Sequence, residues 1–342
     1  METTTLQFLW YVVFATAMFA YAALDGFDIG VGCLHVFTKN DYDRRIFINA
    51  IGPVWDSNSL WVIITSGALL AGFPKAFATL FSSLYLPMMI LVFGYLLRGV
   101  AIEFRSQLTH SSWRSLWDWC FSLSSYALAF GFGLCLANLI KGLPLDEKGL
   151  LVRNLTSLFS PYAVLLGIFT TFLFMLHGAL YLNLKTDGAL QERIRRWCWR
   201  LFGLFSFFWL VVNVDTPLVH GHVTKLIRQE GWLFPLMLLG LVGLIGLFCS
   251  LHWRRDGWAF ISSSIIILSL IIAYSLGTFP NIVRSSINPE HYSLTIYNAS
   301  STPFTLKILL SIAALGVPLF FLYVFYTYKV FRGKVEIDTM SY

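Results

Sequence analysis

The chain has 342 residues, of which 57% are hydrophobic and only 12% charged, with a mean hydropathy of +0.70. Soluble domains carry about 25% charged residues, and a globule of this size needs polar cover, so a soluble fold is excluded. The net charge of +6 does not mark a nucleic-acid surface, because the Lys and Arg are dispersed in short segments between apolar runs.

A hydrocarbon core of about 30 Å takes about 20 mostly apolar residues per helix. Runs that meet this requirement are 6–36, 54–73, 76–104, 116–140, 159–184, 198–217, 232–251, 258–279 and 304–328. Met1-Glu2-Thr3 lacks a basic leader, so the first run reads as a retained span. The gaps carry turn and charge signals, among them Lys39–Arg45, Phe73-Pro74-Lys75 and Arg254-Arg255-Asp256-Gly257. The longest non-apolar stretch, 280–303, has room for a short interfacial element. The expectation is an all-α membrane protein of about nine transmembrane helices, built as two four-helix bundles plus one peripheral helix. It forms a single polytopic domain over 1–342: helices one to four in 1–140, five to eight in 159–279, the ninth at 304–328, and a cytoplasmic tail at 329–342.

With the N-terminus outside, the inside segments hold 15 Lys and Arg and the outside segments 7. That bias predicts N-terminus out and C-terminus in. Many Trp, such as Trp10, Trp113, Trp197, Trp253 and Trp258, stand near run ends as interface anchors. The five cysteines (Cys33, Cys120, Cys135, Cys198 and Cys249) are scattered, with neither a C-x-x-C pair nor a disulfide framework. They read as small buried hydrophobes.

A charge inside hydrocarbon costs several kcal/mol, so the exceptions are informative. Span one ends Leu24-Asp25-Gly26-Phe27-Asp28-Ile29-Gly30-Val31-Gly32, with its two acids on one face and glycines that permit close approach. Span two opens Gly52-Pro53-Val54-Trp55-Asp56-Ser57-Asn58-Ser59-Leu60-Trp61. Span three closes Arg98-Gly99-Val100-Ala101-Ile102-Glu103-Phe104-Arg105, and span four opens Trp113-Arg114-Ser115-Leu116-Trp117-Asp118. The predicted topology therefore brings Asp25, Asp28, Asp56, Glu103 and Asp118, with Arg98 and Arg105, to the cytoplasmic face from four helices. Buried ion pairs and helix caps are the plain alternative, and the better reading for Glu103 and Asp118 nearest the water. The functional reading is a proton inlet through Asp25, Asp28 and Asp56, with Arg98 tuning the acids.

These four motifs, in this order and spacing, resemble subunit II of the bacterial cytochrome bd quinol oxidases. Trp258-Ala259-Phe260 and Ser293-Leu294-Thr295-Ile296-Tyr297-Asn298 extend the resemblance over most of the chain, weakest between about 140 and 250. The sequence departs at Ser57 and Ser59, where the family usually has Gly and a longer polar or acidic residue. A hydroxyl or water must serve at Ser59 if that side chain belongs to a proton path. The resemblance implies a non-haem subunit of the bacterial cytoplasmic (inner) membrane, paired with a homologous subunit I that carries haems b and d and the quinol-oxidising loop. The complex would oxidise quinol, reduce oxygen to water and take protons from the cytoplasm. A structural quinone, bound lipid and a small accessory subunit are left open.

Of the seven histidines only His177 lies well within a span, and Met175 is on another face, so no facing axial pair is legible. His177 reads as a hydrogen-bonded core residue or, failing that, a single axial ligand. Ser59, Ile63 and Ser66 form a stripe beside Trp61 that suits either close helix packing or lateral access of oxygen. Two rival readings are a self-sufficient proton-coupled transporter and a purely structural membrane partner. The transporter is disfavoured by charges at one face rather than the midplane, and by the absence of a clear repeat.

Overall fold

The computed structural model describes residues 2–152 and 155–336. Arg153, one of the seven outside cations, and the tail from residue 337 onward lie outside the described residues. The helices in chain order are α1 (Thr3–His35), α2 (Asp41–Ile51), α3 (Trp55–Gly72), α4 (Pro74–Ser83), α5 (Tyr85–Phe104), α6 (Ser111–Lys141), α7 (Pro161–Lys185), α8 (Gly188–Val219), the short α9 (Lys225–Gln229), α10 (Phe234–His252), α11 (Asp256–Thr278), the short α12 (Pro289–Tyr292) and α13 (Pro303–Val330). Eight are each long and apolar enough to cross a membrane, and α3 with α4 makes a ninth candidate, bent by 119° at Phe73. The chain is a multi-pass all-α membrane protein.

The two bundles are α1, α3, α5 and α6, and α7, α8, α10 and α11. They meet where α7 packs on α1 and α6, while α13 lies outside against α1 and α3. The α1–α7 crossing is close because both partners are glycine: a Cβ on Gly30 would lie 1.8 Å from the Phe174 carbonyl oxygen, against Gly178 on the facing turn. Gln7 bonds Ser300 at one end of the molecule and Lys334 bonds Asn183 at the other, so the two ends of the described chain lie at opposite ends of the bundle.

The expected run 76–104 divides into α4 and α5. Pro87 lies in the first turn of α5, where its ring cannot continue a helix past the Ser83 carbonyl. Pro74 starts α4 at its first helical position, the one place where a missing N–H is harmless. Two features were not expected. Amphipathic α2, capped by the Asn40 side chain accepting from the Tyr42 N–H, buries Phe47, Ile48 and Ile51. α8 begins ten residues before its apolar run, with an arginine-rich stretch that projects beyond the hydrocarbon. The stretch 280–303 contains α12 and a two-stranded antiparallel pairing of β1 (Asn281–Val283) with β2 (Leu294–Thr295).

Candidate functional site

The charges expected in one cluster form two groups, stacked along α1. Tyr21, Asp25 and Asp28 recur at helical spacing, and His35 follows two turns later on the same face. α5 presents Tyr95, Arg98 and Arg105 in the same manner. The seven residues from Asp28 to His35, and from Arg98 to Arg105, set the groups about 10 Å apart by helix rise.

The inner group is a nest of two carboxylates around one guanidinium. Asp25 is fully buried and Arg98 nearly so; Arg98 Nη2 donates to Asp25 Oδ1 at 2.5 Å and to Ser59 Oγ at 2.8 Å. Ser59 in turn donates to Asp25 at 3.2 Å. The serine at the position that departs from the expected longer side chain thus bridges acid and base with its hydroxyl. The Tyr95 hydroxyl donates to Asp25 Oδ2 at 2.7 Å and shares a second bond with Tyr21 at 2.5 Å. Asp28 accepts from Asn58 Nδ2 at 2.8 Å, and Asn58 Oδ1 accepts from Tyr328 of α13 at 3.1 Å. Among the described residues, Asp28 Oδ1 and both Nε and Nη1 of Arg98 have no protein partner.

The second group surrounds Asp118 at the end of the bundle. His35 Nε2 lies 2.6 Å from Asp118 Oδ1 and Arg105 Nε 2.5 Å from the same oxygen. Arg44 Nη1 donates to Oδ2 at 2.7 Å. Arg105 also reaches Asp41 at 2.7 Å, and Arg114 holds the other oxygen of Asp41 at 2.9 Å. Burial opposes the charge on Arg105, but the bonds from Asp118 and Asp41 outweigh it and raise its pKa above the ordinary arginine value.

The other residues singled out from the sequence are placed as follows. Asp56 is exposed in the first turn of α3, one turn before Ser59 on the same face, and Glu103 is exposed at the end of α5. Trp61 is buried against Phe320 and Phe321 of α13. Ser66, five residues on and about 140° round the helix, is half-buried and donates to the Val62 carbonyl. Both ring nitrogens of His177 are engaged, Nδ1 with Ser263 at 2.7 Å and Nε2 with the Ala23 carbonyl at 2.9 Å, and the ring stacks on Phe260. No nitrogen of His177 is left to face an iron, so the residue fits a core role rather than axial ligation. No group of three His, Cys, Asp or Glu arranged to hold a metal occurs among the described residues.

Comparison with known proteins accounts for this arrangement. The profile of the family described as cytochrome bd terminal oxidase subunit II matches residues 6–331. The chain belongs to that family. It is 31% identical over 335 residues to cytochrome bd ubiquinol oxidase subunit 2 of Bacillus subtilis (strain 168), covering 97% of each chain. It is 28% identical over 371 residues to cytochrome bd-I ubiquinol oxidase subunit 2 of Escherichia coli (strain K12), covering 98% of this chain and 97% of that one. The fold matches the structure of bd oxidase from Geobacillus thermodenitrificans with a TM-score of 0.79 at 19% identity, over 96% of this chain and 98% of the other. As a terminal oxidase subunit, the chain is part of an oxidoreductase complex.

Sequence reasoning missed Tyr21, Tyr95, Asn58 and Tyr328 in the nest, and His35, Arg44 and Asp41 at the bundle end. The signal for Tyr21, Tyr95 and His35 was present as helical spacing from Asp25, Arg98 and Asp28. No comparable signal marked Tyr328, which reaches Asn58 from 270 residues away.

Proposed function

We propose that this chain pairs with a homologous haem-bearing subunit I in a quinol:oxygen oxidoreductase, supports that subunit, and supplies part of a proton route from the cytoplasm. Haems b and d and the quinol site belong to subunit I, where the chemistry of quinol oxidation and reduction of oxygen to water takes place. The membrane is the bacterial cytoplasmic membrane. Its cytoplasmic side meets the His35 end of the bundle, a reading supported by the two-to-one excess of Lys and Arg in the segments at that end.

The observation that carries the proton reading is the stoichiometry of the nest. Of two buried carboxylates only Asp25 pairs with the guanidinium of Arg98, which leaves the charge of Asp28 uncompensated where a proton can be held. Buried polar atoms without protein partners are satisfied by water, and water next to a carboxylate conducts protons. Asp56 is the water-facing collector, the Ser59 hydroxyl passes the proton on one helical turn later, and Asp25 and Asp28, the latter positioned by Asn58, hold it beside Arg98. Asp118 and Glu103 serve structure. Trp61 serves packing against α13, leaving oxygen to reach the partner subunit by another route.

The test is Asp28→Asn, which removes a carboxylate with no ion pair among the described residues, in the assembled oxidase, with haem content read from the absorption spectrum and its chlorin-type haem d band. The expected result is normal haem content with quinol oxidase turnover lowered about a hundredfold, the lower end of what a positioned proton-transfer group contributes. Full turnover with normal proton uptake would sink the route and leave the family assignment standing.

A further inference from the structure

At the His35 end of the second bundle, the α10–α11 turn and the projecting start of α8 enclose a cavity of about 140 Å³. At about 30 Å³ per water it holds some four to five waters, the scale of a hydrated phosphate group and far too small for a haem or quinone ring. We propose that it binds the headgroup of an anionic phospholipid of the phosphatidylglycerol class.

The charge balance favours an anion. Arg195, Arg196 and Arg254 line the cavity against two carboxylates, Glu192 and Asp256. Arg195 is tied to Asp256 at 2.9 Å and Arg254 to Glu192 at 3.0 Å, which leaves Arg196 without an ion pair among the described residues. A guanidinium fork suits a phosphodiester better than any other common membrane anion. The floor is different. Asn183 is 2% exposed, and its amide nitrogen is pinned to Asp256 at 2.7 Å, so its Oδ1 is a buried acceptor with no partner. A headgroup that couples phosphate to a hydroxyl donor, as glycerol does, satisfies both rim and floor.

The backbone adds an independent observation. Arg254 sits at φ 54°, the left-handed region that glycine or asparagine normally fills. A bulky residue kept in that conformation is worth explaining by function. Here the turn holds the Arg254 side chain on the cavity wall. The setting is also that of a lipid. Trp199, Trp253 and Trp258 stand exposed around the same level, as aromatic residues do at the headgroup layer. Below them Leu241, Ile245 and Phe248 form an exposed apolar stripe along α10, a track for an acyl chain. A basic pocket between helices at the cytoplasmic surface is the expected form of an anionic-lipid site.

The experiment uses the intact oxidase complex exchanged into nanodiscs of mixed phosphatidylglycerol and phosphatidylethanolamine, with retained lipid counted by native mass spectrometry. The wild-type complex is expected to retain phosphatidylglycerol in preference to phosphatidylethanolamine, and inorganic phosphate is expected not to displace it. The double variant Arg196→Gln, Arg254→Gly should lower relative retention about thirtyfold, two guanidiniums being removed at the membrane surface. Glycine suits the left-handed turn, so this variant folds without strain at residue 254. Equal enrichment of both lipids in the wild type overturns the proposal without recourse to any variant. Unchanged retention in the double variant overturns it too. Displacement by inorganic phosphate reassigns the cavity to a soluble anion and equally overturns the lipid reading.

Discussion

The nest around Asp25 and the hub around Asp118 use the same residue types on the same helices with opposite charge balance. In the nest, the one arginine pairs with Asp25 and leaves Asp28 without an ion pair among the described residues; at the hub, Arg44, Arg105 and Arg114 crowd two carboxylates, and His35 adds a further donor. The consequence is chemical. On the proposed reading a proton finds an unpaired carboxylate in the first and only carboxylates already held by arginines in the second. The hub also joins four elements, α1, α2, the end of α5 and the start of α6, at the level where the bundle meets water. On the proposed reading its work is to hold those ends together, whereas the nest lies two turns deeper, where a charge is costly.

The largest effect expected from breaking this contrast is at the hub. Asp118→Ala leaves Arg105, whose side chain is 1% exposed, with only the half-exposed Asp41 as counter-ion. Removing one partner of a buried pair destabilises by about 3–5 kcal/mol. The oxidase carrying this variant should therefore assemble poorly and lose its haem absorbance at a markedly lower temperature than wild type. Molecules that do assemble should turn over normally. If turnover per assembled complex falls as far as stability does, the hub is not merely structural.

An intermediate effect is expected in the nest from Tyr95→Phe, which removes one hydroxyl and no charge. Asp25 Oδ2 then loses the 2.7 Å bond from Tyr95, an unmade bond worth about 1–3 kcal/mol. Assembly should survive, while turnover falls more steeply, relative to stability, than it does for Asp118→Ala. Thermal inactivation and quinol oxidation measured on the same preparations give that ratio. Equal ratios for the two variants erase the distinction between nest and hub.

How much of this was legible beforehand follows from where each interaction is encoded. Most of the spans and the outlying α13 were readable because apolar length sets a span, whereas the break within 76–104 was not. The acids of α1 were readable because two residues three apart share a face. The division into nest and hub was not, although Asp28 and His35, and Arg98 and Arg105, repeat at seven residues. His35 and Arg105 stood at the ends of apolar runs, where polar residues need no explanation. The exposure of Asp56 was also hidden, since nothing in one helix's sequence says which face its neighbours cover. Ser59 was flagged as a departure from the family pattern and as part of the stripe beside Trp61; its bridging role between Arg98 and Asp25 required α5 to be in place. α2 and the front of α8 escaped notice because both are amphipathic or charged, and a search for apolar runs passes over them.

The smallest effect expected is one of pH, and it separates the two regions without breaking either. The folded-state pKa of Arg105 is raised by its carboxylate partners. A group whose folded pKa lies above its unfolded value contributes stability that is fully present below the unfolded value, which for arginine is strongly alkaline, and lost only as pH rises through the folded one. Between about pH 8 and 10 the arginine keeps its proton in both states, and carboxylates and imidazoles, with ordinary values near 4 and 6.5, have already lost theirs. Stability at the hub therefore has no pH slope in that window. Arg105→Gln should lower the inactivation temperature by a constant amount across it, giving a curve parallel to that of wild type. A changed slope means that the hub exchanges protons during turnover conditions, and the assignment of proton handling to the nest alone fails. Asp28→Asn should do the reverse, lowering turnover while leaving the inactivation curve parallel to wild type.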